Sequence, residues 1–294
     1  MKLPPWLTKR VPSSDAMDKM ERLIHGLSLH TVCQEARCPN IGECFSRKTA
    51  AFMILGSRCT RNCTFCAVDK KTPLPPDPEE PERVAKAVSK LGLDYVVVTS
   101  PTRDDLPDGG AEQFAKTITS IKRLCGEKTY VEVLIPDFGG SFLSLKKVLE
   151  AGPFVLNHNI ETIPRLYPLV RPKADYKRSL KILEECKRIN PSIYTKSGLM
   201  VGLGETRDEV IQVMKDLRNT GCDILTIGQY LQPSPTHIEV KEFVPPLTFD
   251  WYKEVAYSLG FLYVASSPFV RSSYMAKKWL EHLKKKITNF PLAD

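Results

Sequence analysis

The stretch Ala51-Phe-Met-Ile-Leu-Gly-Ser-Arg-Cys59-Thr-Arg-Asn-Cys63-Thr-Phe-Cys66 joins a short apolar run to a loop that carries three cysteines. The apolar run, residues 51–57, has the length and composition of a buried strand. The cysteines of the following loop have the spacing C-x3-C-x2-C. The sequence therefore predicts that three thiols lie together at the end of one strand.

Another group of three cysteines, called the first triplet because it precedes this strand, has the spacing C-x4-C-x5-C; the cysteines of the loop form the second triplet. The first triplet comprises Cys33, Cys38 and Cys44, so that six of the nine cysteines fall within 34 residues. In the loop after the strand, the thiolates of Cys59, Cys63 and Cys66, without a fourth cysteine or histidine nearby, can hold three irons of a [4Fe-4S] cluster and leave one iron open. A molecule with free amino and carboxylate groups, such as the methionine end of S-adenosylmethionine, could chelate that iron.

Zinc and disulfides are the other uses of such cysteines. Structural zinc takes four ligands, usually as two C-x2-C pairs, and two sets of three cysteines lack that pattern. Disulfides are disfavoured by the odd number of cysteines, by the absence of an apolar signal segment near Met1, and by a chain long enough to build a core without cross-links. Iron–sulfur chemistry fits better, and Phe65 would then shield the cluster next to Cys66.

Composition and charge limit the classes of function. The chain has 294 residues, of which 42% are hydrophobic and 26% charged, as is typical of a globular protein. No apolar run approaches the roughly 20 residues of a membrane helix. The net charge of +8 favours an acidic partner, but no nucleic-acid-binding motif is present. Thiols that bind iron need a reducing compartment, so we expect a cytoplasmic protein without membrane or nucleic-acid partners.

From residue 51 onward, apolar strand runs alternate with amphipathic helices, which is the pattern of parallel βα units. Six such units, the last with a strand at 223–230, predict an α/β fold with a partial (β/α)6 TIM-like barrel. We expect an N-terminal extension (1–50) with the first cysteines, the barrel itself (51–232) and a C-terminal extension (233–294), with the extensions covering the barrel mouth. Active groups of such barrels gather at the carboxyl ends of the strands.

Three motifs together resemble one family. The C-x3-C-x2-C loop is similar to that of the radical S-adenosylmethionine superfamily, and the segment Cys33–Cys44 resembles the auxiliary-cluster motif of the lipoyl synthase family. A third segment, Arg271-Ser272-Ser273-Tyr274, resembles the signature with which that family supplies a serine ligand to the auxiliary cluster. The resemblance implies two [4Fe-4S] clusters, one on Cys59, Cys63 and Cys66, and one on Cys33, Cys38, Cys44 and a serine. It favours Ser273 over Ser272, although spacing alone cannot separate them.

The resemblance also implies an activity. It implies a sulfurtransferase that uses S-adenosylmethionine to insert two sulfur atoms at C6 and C8 of a protein-bound octanoyl-lysine. The catalytic residues would be Cys59, Cys63, Cys66 and Ser273. Octanoylated lipoyl domains of 2-oxoacid dehydrogenases or the glycine cleavage H protein would be the partners, and ferredoxin or flavodoxin the electron donor. Two other hypotheses remain: another two-cluster sulfur-inserting radical enzyme, and a non-catalytic iron–sulfur electron carrier.

Glycines at the predicted strand ends are candidates for contacts with S-adenosylmethionine. The pair Gly109-Gly110 is similar in place to the superfamily's turn that receives the methionine amino group, although glycines also begin helices. The segment 198–205, with Gly202 and Glu205, resembles the family's fifth-strand segment against which the adenine lies. A glycine-rich run of this kind is a weak signal by itself.

Polar residues after the fourth barrel strand are further candidates. Asn159 and Glu161 could hold ribose hydroxyls, or they could form an ordinary polar rim. Arg171 could bind a carboxylate through two parallel hydrogen bonds, or it could take part in a structural salt bridge. The sequence leaves both pairs of alternatives open.

Overall fold

The computed structural model describes residues 3–8, 14–47 and 50–289, which fold around one sheet with the strand order β1 to β8. Strands β2 to β8 pair in parallel, whereas the two-residue strand β1 pairs antiparallel with β2. A helix lies in each connection between successive parallel strands, as parallel pairing requires. The α/β barrel-like fold predicted from the sequence is confirmed.

The strands are β1 (His30–Thr31), β2 (Ala51–Met53), β3 (Tyr95–Thr99), β4 (Tyr130–Leu134), β5 (Val155–Asn157), β6 (Tyr194–Val201), β7 (Ile224–Gln229) and β8 (Tyr263–Ser266). The helices are α1 (Ser14–Gly26), α2 (Val32–Glu35), α3 (Ile41–Ser46), α4 (Glu80–Leu91), α5 (Ala111–Cys125), α6 (Phe142–Glu150), α7 (Tyr167–Val170), α8 (Tyr176–Ile189), α9 (Arg207–Asn219), α10 (Pro246–Ser258) and α11 (Lys278–Asn289).

The sequence predicted that the strand at 224–229 is the last of the sheet, and this prediction is wrong. The apolar run at 261–265, which the sequence assigned to the C-terminal extension, contributes β8, and β8 pairs in parallel with β7 from Ile224 opposite Tyr263 onward. Helix α10 makes the crossover between them and buries Phe249 completely. The prediction failed because a five-residue apolar run does not by itself distinguish a strand from another buried segment.

The segment that follows β8 enters the interior of the curved sheet. Two glycines on neighbouring strands leave room for it: a Cβ at Gly228 would overlap the carbonyl oxygen of Val270, and one at Gly198 would lie 3.0 Å from the Ser272 hydroxyl. The segment then reaches the amino ends of the strands, where Trp279 of α11 stacks on Phe154 with ring centroids 5.4 Å apart. The C-terminal residues therefore extend along the interior of the sheet as well as across its mouth.

A buried ionic network links four strands near Trp279. The carboxylate of Glu132, on β4, accepts hydrogen bonds from Lys196 Nζ at 2.8 Å, from Asn157 Nδ2 at 3.0 Å and from the Tyr95 hydroxyl at 2.6 Å. The indole of Trp279 donates to the same Tyr95 hydroxyl at 3.0 Å. These bonds compensate the burial of the charged pair and attach α11 to the barrel interior. Within the described ranges, every helix is too short or too polar to cross a lipid bilayer.

Candidate active site

The loop that carries the second cysteine triplet leaves β2 at the carboxyl end of the sheet. The sulfur of Cys59 accepts two backbone N–H groups, from Thr102 at 3.3 Å and from Arg61 at 3.4 Å. The backbone N–H of Cys59 itself donates to the carbonyl of Asp69 at 2.7 Å. These hydrogen bonds fix the position of the Cys59 sulfur at the start of the loop.

The other two thiols of this triplet are more deeply enclosed. Burial raises the pKa of Cys63, although the neighbouring Arg171 guanidinium opposes this shift. Burial raises the pKa of Cys66 to about 12, against a hydrogen bond from the backbone of Val68. Thiols in such surroundings need a bound cation to ionise, and a coordinated metal deprotonates a thiol outright. The donor set thus fits an iron–sulfur cluster.

An arginine within the triplet fixes the position of the loop. Arg61 donates to Asp137 through Nη1 at 2.9 Å and Nη2 at 2.5 Å, and to Asp104 through Nε and Nη2, each at 2.9 Å. Burial alone would raise the pKa of Asp137, but the bonds from Arg61 outweigh it and lower this pKa to about 2. The two carboxylates follow β3 and β4, so Arg61 ties the cysteine loop to two strand ends.

The loop that follows β7 covers the same triplet from the other side. His237 Nε2 donates to the carbonyl of Cys66 at 3.1 Å, and its Nδ1 accepts from the Ser234 hydroxyl at 2.8 Å. The backbone N–H of Ile238 donates to the carbonyl of Thr64 at 3.1 Å. Backbone groups of the cysteine loop are thereby satisfied by protein and not by solvent.

The first triplet lies on the short helices α2 and α3 and on the turn between them. Cys33 and Cys44 are buried, and burial raises the pKa of Cys33 to about 11 against a hydrogen bond from the backbone of Ala51. Ala51 is the first residue of β2, whose carboxyl end leads to the second triplet. The two triplets therefore flank one strand, as the sequence predicted.

The C-terminal turn meets the first triplet. Asn40 Nδ2 donates to the carbonyl of Phe269 at 2.7 Å, and the Tyr274 hydroxyl donates to the Glu43 carboxylate at 3.0 Å. Burial lowers the pKa of Arg271, whereas the charges of Cys38 and Glu161 oppose this shift. The structure thus brings the Arg271–Tyr274 motif to the cysteines of residues 33–44.

The two serines of this motif have different surroundings. The Ser272 hydroxyl donates to Asn159 Oδ1 at 2.8 Å. The Ser273 hydroxyl has no hydrogen-bond partner among residues 3–8, 14–47 and 50–289. Ligation of a cluster by Ser273, the choice made from the sequence, stays a prediction.

The candidate ribose-binding residues form one cluster. Asn159 Nδ2 donates to Glu161 Oε1 at 3.0 Å, and Arg171 Nη1 donates to the carbonyl of Asn159 at 3.1 Å. Burial raises the pKa of Glu161, while Arg171 and Arg271 oppose this shift. Glu161 has φ of +65°, a sparsely populated conformation for a residue other than glycine that often marks a functional site.

Arg171 is held by backbone carbonyls and by the Tyr167 hydroxyl, at 3.1 Å, and forms no carboxylate salt bridge among the described residues. Its Nε is buried without a partner in this part of the chain, as is Nε2 of His158. His158 Nδ1 donates to the carbonyl of Ile135 at 2.8 Å, so its Nε2 is an acceptor. A buried donor and a buried acceptor without partners fit a polar ligand beside Asn159.

The candidate glycines are needed by the turns that contain them. Gly109 and Gly110 have positive φ, and a Cβ at Gly110 would overlap the Leu55 side chain where α5 begins. A Cβ at Gly202 would overlap Gln229, and both carboxylate oxygens of Glu205 accept backbone N–H groups of residues 202 and 203. These contacts explain the residues structurally. Contacts of these residues, and of the half-buried Phe65, with a cofactor stay predictions.

The described side chains include no group of three His, Cys, Asp or Glu residues close enough to hold one metal ion. That finding concerns single ions, such as the zinc considered above. A four-iron cluster is larger and separates its cysteine ligands more widely.

Comparison with known proteins gives the family. Residues 53–217 match the model of the radical SAM superfamily, and residues 1–38 match that of the N-terminal domain of lipoyl synthase. A lipoyl synthase of Caldanaerobacter subterraneus subsp. tengcongensis is 60% identical over 93% of this chain and 95% of its own length. One of Caldicellulosiruptor saccharolyticus is 58% identical over 94% and 97%. The chain belongs to the lipoyl synthase family.

Solved structures with low sequence identity support the fold alone. Streptococcus suis SuiB bound to S-adenosylmethionine is 11% identical, with a TM-score of 0.57 over 85% of this chain and 60% of that one. HydG, a maturase of the [FeFe]-hydrogenase, is 13% identical, with a TM-score of 0.52 over 91% and 74%. The fold of this chain is thus shared with these two proteins.

Membership of the lipoyl synthase family fixes the class of chemistry. The chain is a radical SAM sulfurtransferase whose cofactors are S-adenosylmethionine and [4Fe-4S] clusters, and it acts on octanoylated carrier proteins. Sequence reasoning did not identify Arg61, Asp137 or His237 as supports of the cysteine loop. A charged residue between two cysteines and an aspartate three residues after the end of β4 were signals that could have indicated the first two.

Proposed function

We propose that Cys59, Cys63 and Cys66 hold the cluster that cleaves S-adenosylmethionine, while Cys33, Cys38, Cys44 and Ser273 hold a second cluster whose sulfur is transferred. The observation that carries this assignment is the meeting of the first triplet with the C-terminal turn through Asn40 and Tyr274. Three cysteines alone lack a fourth ligand. The free Ser273 hydroxyl supplies an oxygen there, and oxygen is a poorer ligand than thiolate for a cluster that must be dismantled.

The cofactor would lie against the cluster of residues at the end of β5. Asn159 and Glu161 would hold the ribose hydroxyls, and Arg171 would bind the carboxylate through its partnerless Nε. Gly109 and Gly110 would accept the amino group through their carbonyls, and segment 198–205, with Gly202 and Glu205, would border the adenine. Phe65 would exclude water from the cluster next to Cys66.

When bound, the cluster on Cys59, Cys63 and Cys66 would supply the electron that splits S-adenosylmethionine, which would give an oxidant strong enough to remove hydrogen atoms from unactivated C–H bonds. The acceptor would be an octanoyl chain on a carrier-protein lysine, with sulfur added at C6 and then at C8. Residues of this chain hold the reactants in place and exclude water. The second cluster is a substrate in this scheme because its sulfide is consumed.

The carriers would be lipoyl domains of 2-oxoacid dehydrogenase E2 type or the glycine cleavage H protein, and the electron donor a ferredoxin or flavodoxin. The net charge of +8 suits acidic partners of this kind. Such docking should weaken as salt is raised. A cytoplasmic location is proposed because six cysteines must stay reduced until iron is bound.

Mass spectrometry of an octanoylated lipoyl domain after anaerobic turnover tests the proposal. We expect a product with two added sulfur atoms from the wild-type chain and none from Cys63→Ser or Ser273→Ala. Formation of 5'-deoxyadenosine without sulfur insertion would indicate a different radical enzyme. Absence of 5'-deoxyadenosine with reductant present would indicate an electron carrier. Iron and sulfide per chain, measured with and without Ser273→Cys, distinguish two clusters from one.

A further inference from the structure

A chain of two hydrogen bonds connects the C-terminal turn to Asn159 and Glu161, the two candidate ribose-binding residues, which together are called the cofactor pair. The Ser272 hydroxyl donates to Asn159 Oδ1 at 2.8 Å, and Asn159 Nδ2 donates to Glu161 Oε1 at 3.0 Å. Both ends of the Asn159 amide are thereby engaged, which fixes the orientation of the side chain. The neighbour of Ser273 thus determines how Asn159 is presented to a ligand.

The residue before Ser272 is held against its own turn. Arg271 Nη1 donates to the carbonyl of Val270 at 2.7 Å and to that of Pro268 at 3.4 Å. These bonds stabilise the turn from which Ser272 reaches Asn159.

The packing around this contact leaves little freedom. A Cβ at Gly198 would lie 3.0 Å from both Asn159 Oδ1 and the Ser272 hydroxyl, and it would overlap the Thr226 hydroxyl. The sequence suggested that this segment borders the adenine, but the space beside Gly198 holds the Ser272–Asn159 contact. Tightly packed groups transmit a displacement because they have no empty space to absorb it.

We propose that Ser272 is a positioning residue that couples the cofactor pair, Asn159 and Glu161, to the serine ligand at Ser273. This inference rests on the proposed function, which assigns the pair to S-adenosylmethionine and Ser273 to the second cluster. Ligation by Ser273 holds the turn in place, the turn holds Ser272, and Ser272 orients Asn159. Because coupling between two binding sites is reciprocal, S-adenosylmethionine and the serine ligand each favour the other.

The affinity for S-adenosylmethionine, measured by anaerobic equilibrium dialysis without reductant on protein that carries both clusters, tests this coupling. We expect Ser272→Ala to raise Kd about three- to tenfold, the equivalent of one net hydrogen bond. Adding Ser272→Ala to Asn159→Ala should cause no further loss. Thr226→Val is the matched control, because it removes a hydroxyl beside the same glycine without touching Asn159, and its Kd should equal that of the wild type.

A second double-mutant cycle, of Ser272 and Ser273, tests the connection between the serine ligand and the binding of S-adenosylmethionine. Ser273→Ala should weaken binding of S-adenosylmethionine when Ser272 is present and should have no effect in a Ser272→Ala background. Additive losses in either cycle, or an unchanged Kd in Ser272→Ala, overturn the coupling while leaving the proposed function intact. A wild-type chain that carries both clusters and binds no S-adenosylmethionine overturns both.

The iron content of each variant controls for damage to the clusters. Should Ser272→Ala load less iron than the wild type, Ser272→Thr, which keeps the hydroxyl, must restore both the iron content and the affinity. Failure of that rescue would show that Ser272 only maintains the fold of the turn, and it would overturn the proposal.

Discussion

The Tyr274 hydroxyl lies 3.0 Å from Oε2 of Glu43, which joins two residues 231 positions apart in the chain. Glu43 precedes Cys44 of the first triplet, and Tyr274 follows Ser273. Together with the bond from Asn40 Nδ2 to the carbonyl of Phe269, this contact joins the first triplet to the turn that carries Ser272 and Ser273. The arrangement would let ligands from opposite ends of the chain serve the second cluster proposed above.

Tyr274→Phe should weaken retention of the cluster proposed on Cys33, Cys38, Cys44 and Ser273, without unfolding the barrel. The substitution removes one hydrogen bond to a half-exposed carboxylate, so we expect a loss of about 1 kcal/mol in the attachment of the turn. Iron should be lost to an external chelator severalfold faster than from the wild type. Tyr176→Phe is the control, because it also removes a tyrosine–carboxylate bond, to Asp216 at 2.7 Å, but on the outer helices. Equal rates of iron loss in the two variants would contradict this role of Tyr274.

Arg61→Lys should weaken retention of the cluster proposed on Cys59, Cys63 and Cys66. An ammonium cannot reproduce the four hydrogen bonds that the Arg61 guanidinium donates to Asp104 and Asp137. We expect reconstituted protein to retain less iron and to lose the S-adenosylmethionine-dependent change in its electron paramagnetic resonance spectrum. Arg58→Lys, on the same loop but bonded only to the carbonyl of Thr72 among the described residues, should behave as wild type. Normal iron retention in Arg61→Lys would refute the prediction.

His158 should make the stability of the cluster-free chain depend on pH. Burial lowers the pKa of His158 from 6.5 to about 4, and Arg171 adds to this effect, while the carbonyl of Ile135 and Asp137 oppose it. Between these two values the unfolded chain binds a proton that the folded chain does not, so stability rises with pH in that interval. The contribution is complete above the unfolded pKa and falls by about 3 kcal/mol as pH drops to 4.

Denaturant unfolding of the chelator-treated chain at pH 4.5, 5.5 and 6.5, values chosen as roughly spanning this interval, measures the effect. His158→Leu should have a smaller slope of unfolding free energy against pH than the wild type. Identical slopes would show that the folded and unfolded chains protonate His158 alike.

Removing only one member of the buried Glu132–Lys196 pair should lower the free energy of unfolding strongly. Lys196→Met leaves the Glu132 carboxylate inside the barrel without its cation, and we expect a loss of about 3–5 kcal/mol in the free energy of unfolding. Glu132→Gln combined with Lys196→Met should recover part of that loss. Lys146→Met breaks an exposed pair with Glu150 at 3.7 Å and should cost less than about 1 kcal/mol. Similar losses for the two lysine variants would contradict the account.

Local sequence patterns were sufficient for most of the barrel. The N-cap Asp175 begins α8 at residue 176, and the capping box of Thr206 and Glu209 begins α9. These features depend on side chains within a few residues of each other, so their signals lie in short windows of sequence. The β8 strand was missed because its place in the sheet depends on pairing with β7, and no local pattern encodes that pairing.

The sequence by itself determined the two cysteine triplets, the strand between them and the class of chemistry, because ligand type and spacing are written along the chain. Only the tertiary structure shows that the Ser272 hydroxyl is engaged by Asn159, a residue 113 positions earlier. It also decided that Arg61 holds the cysteine loop through Asp137 and that glycines 198 and 228 admit the C-terminal segment. Each of these depends on contacts between residues far apart in sequence, and such contacts exist only once the barrel has brought its strand ends together.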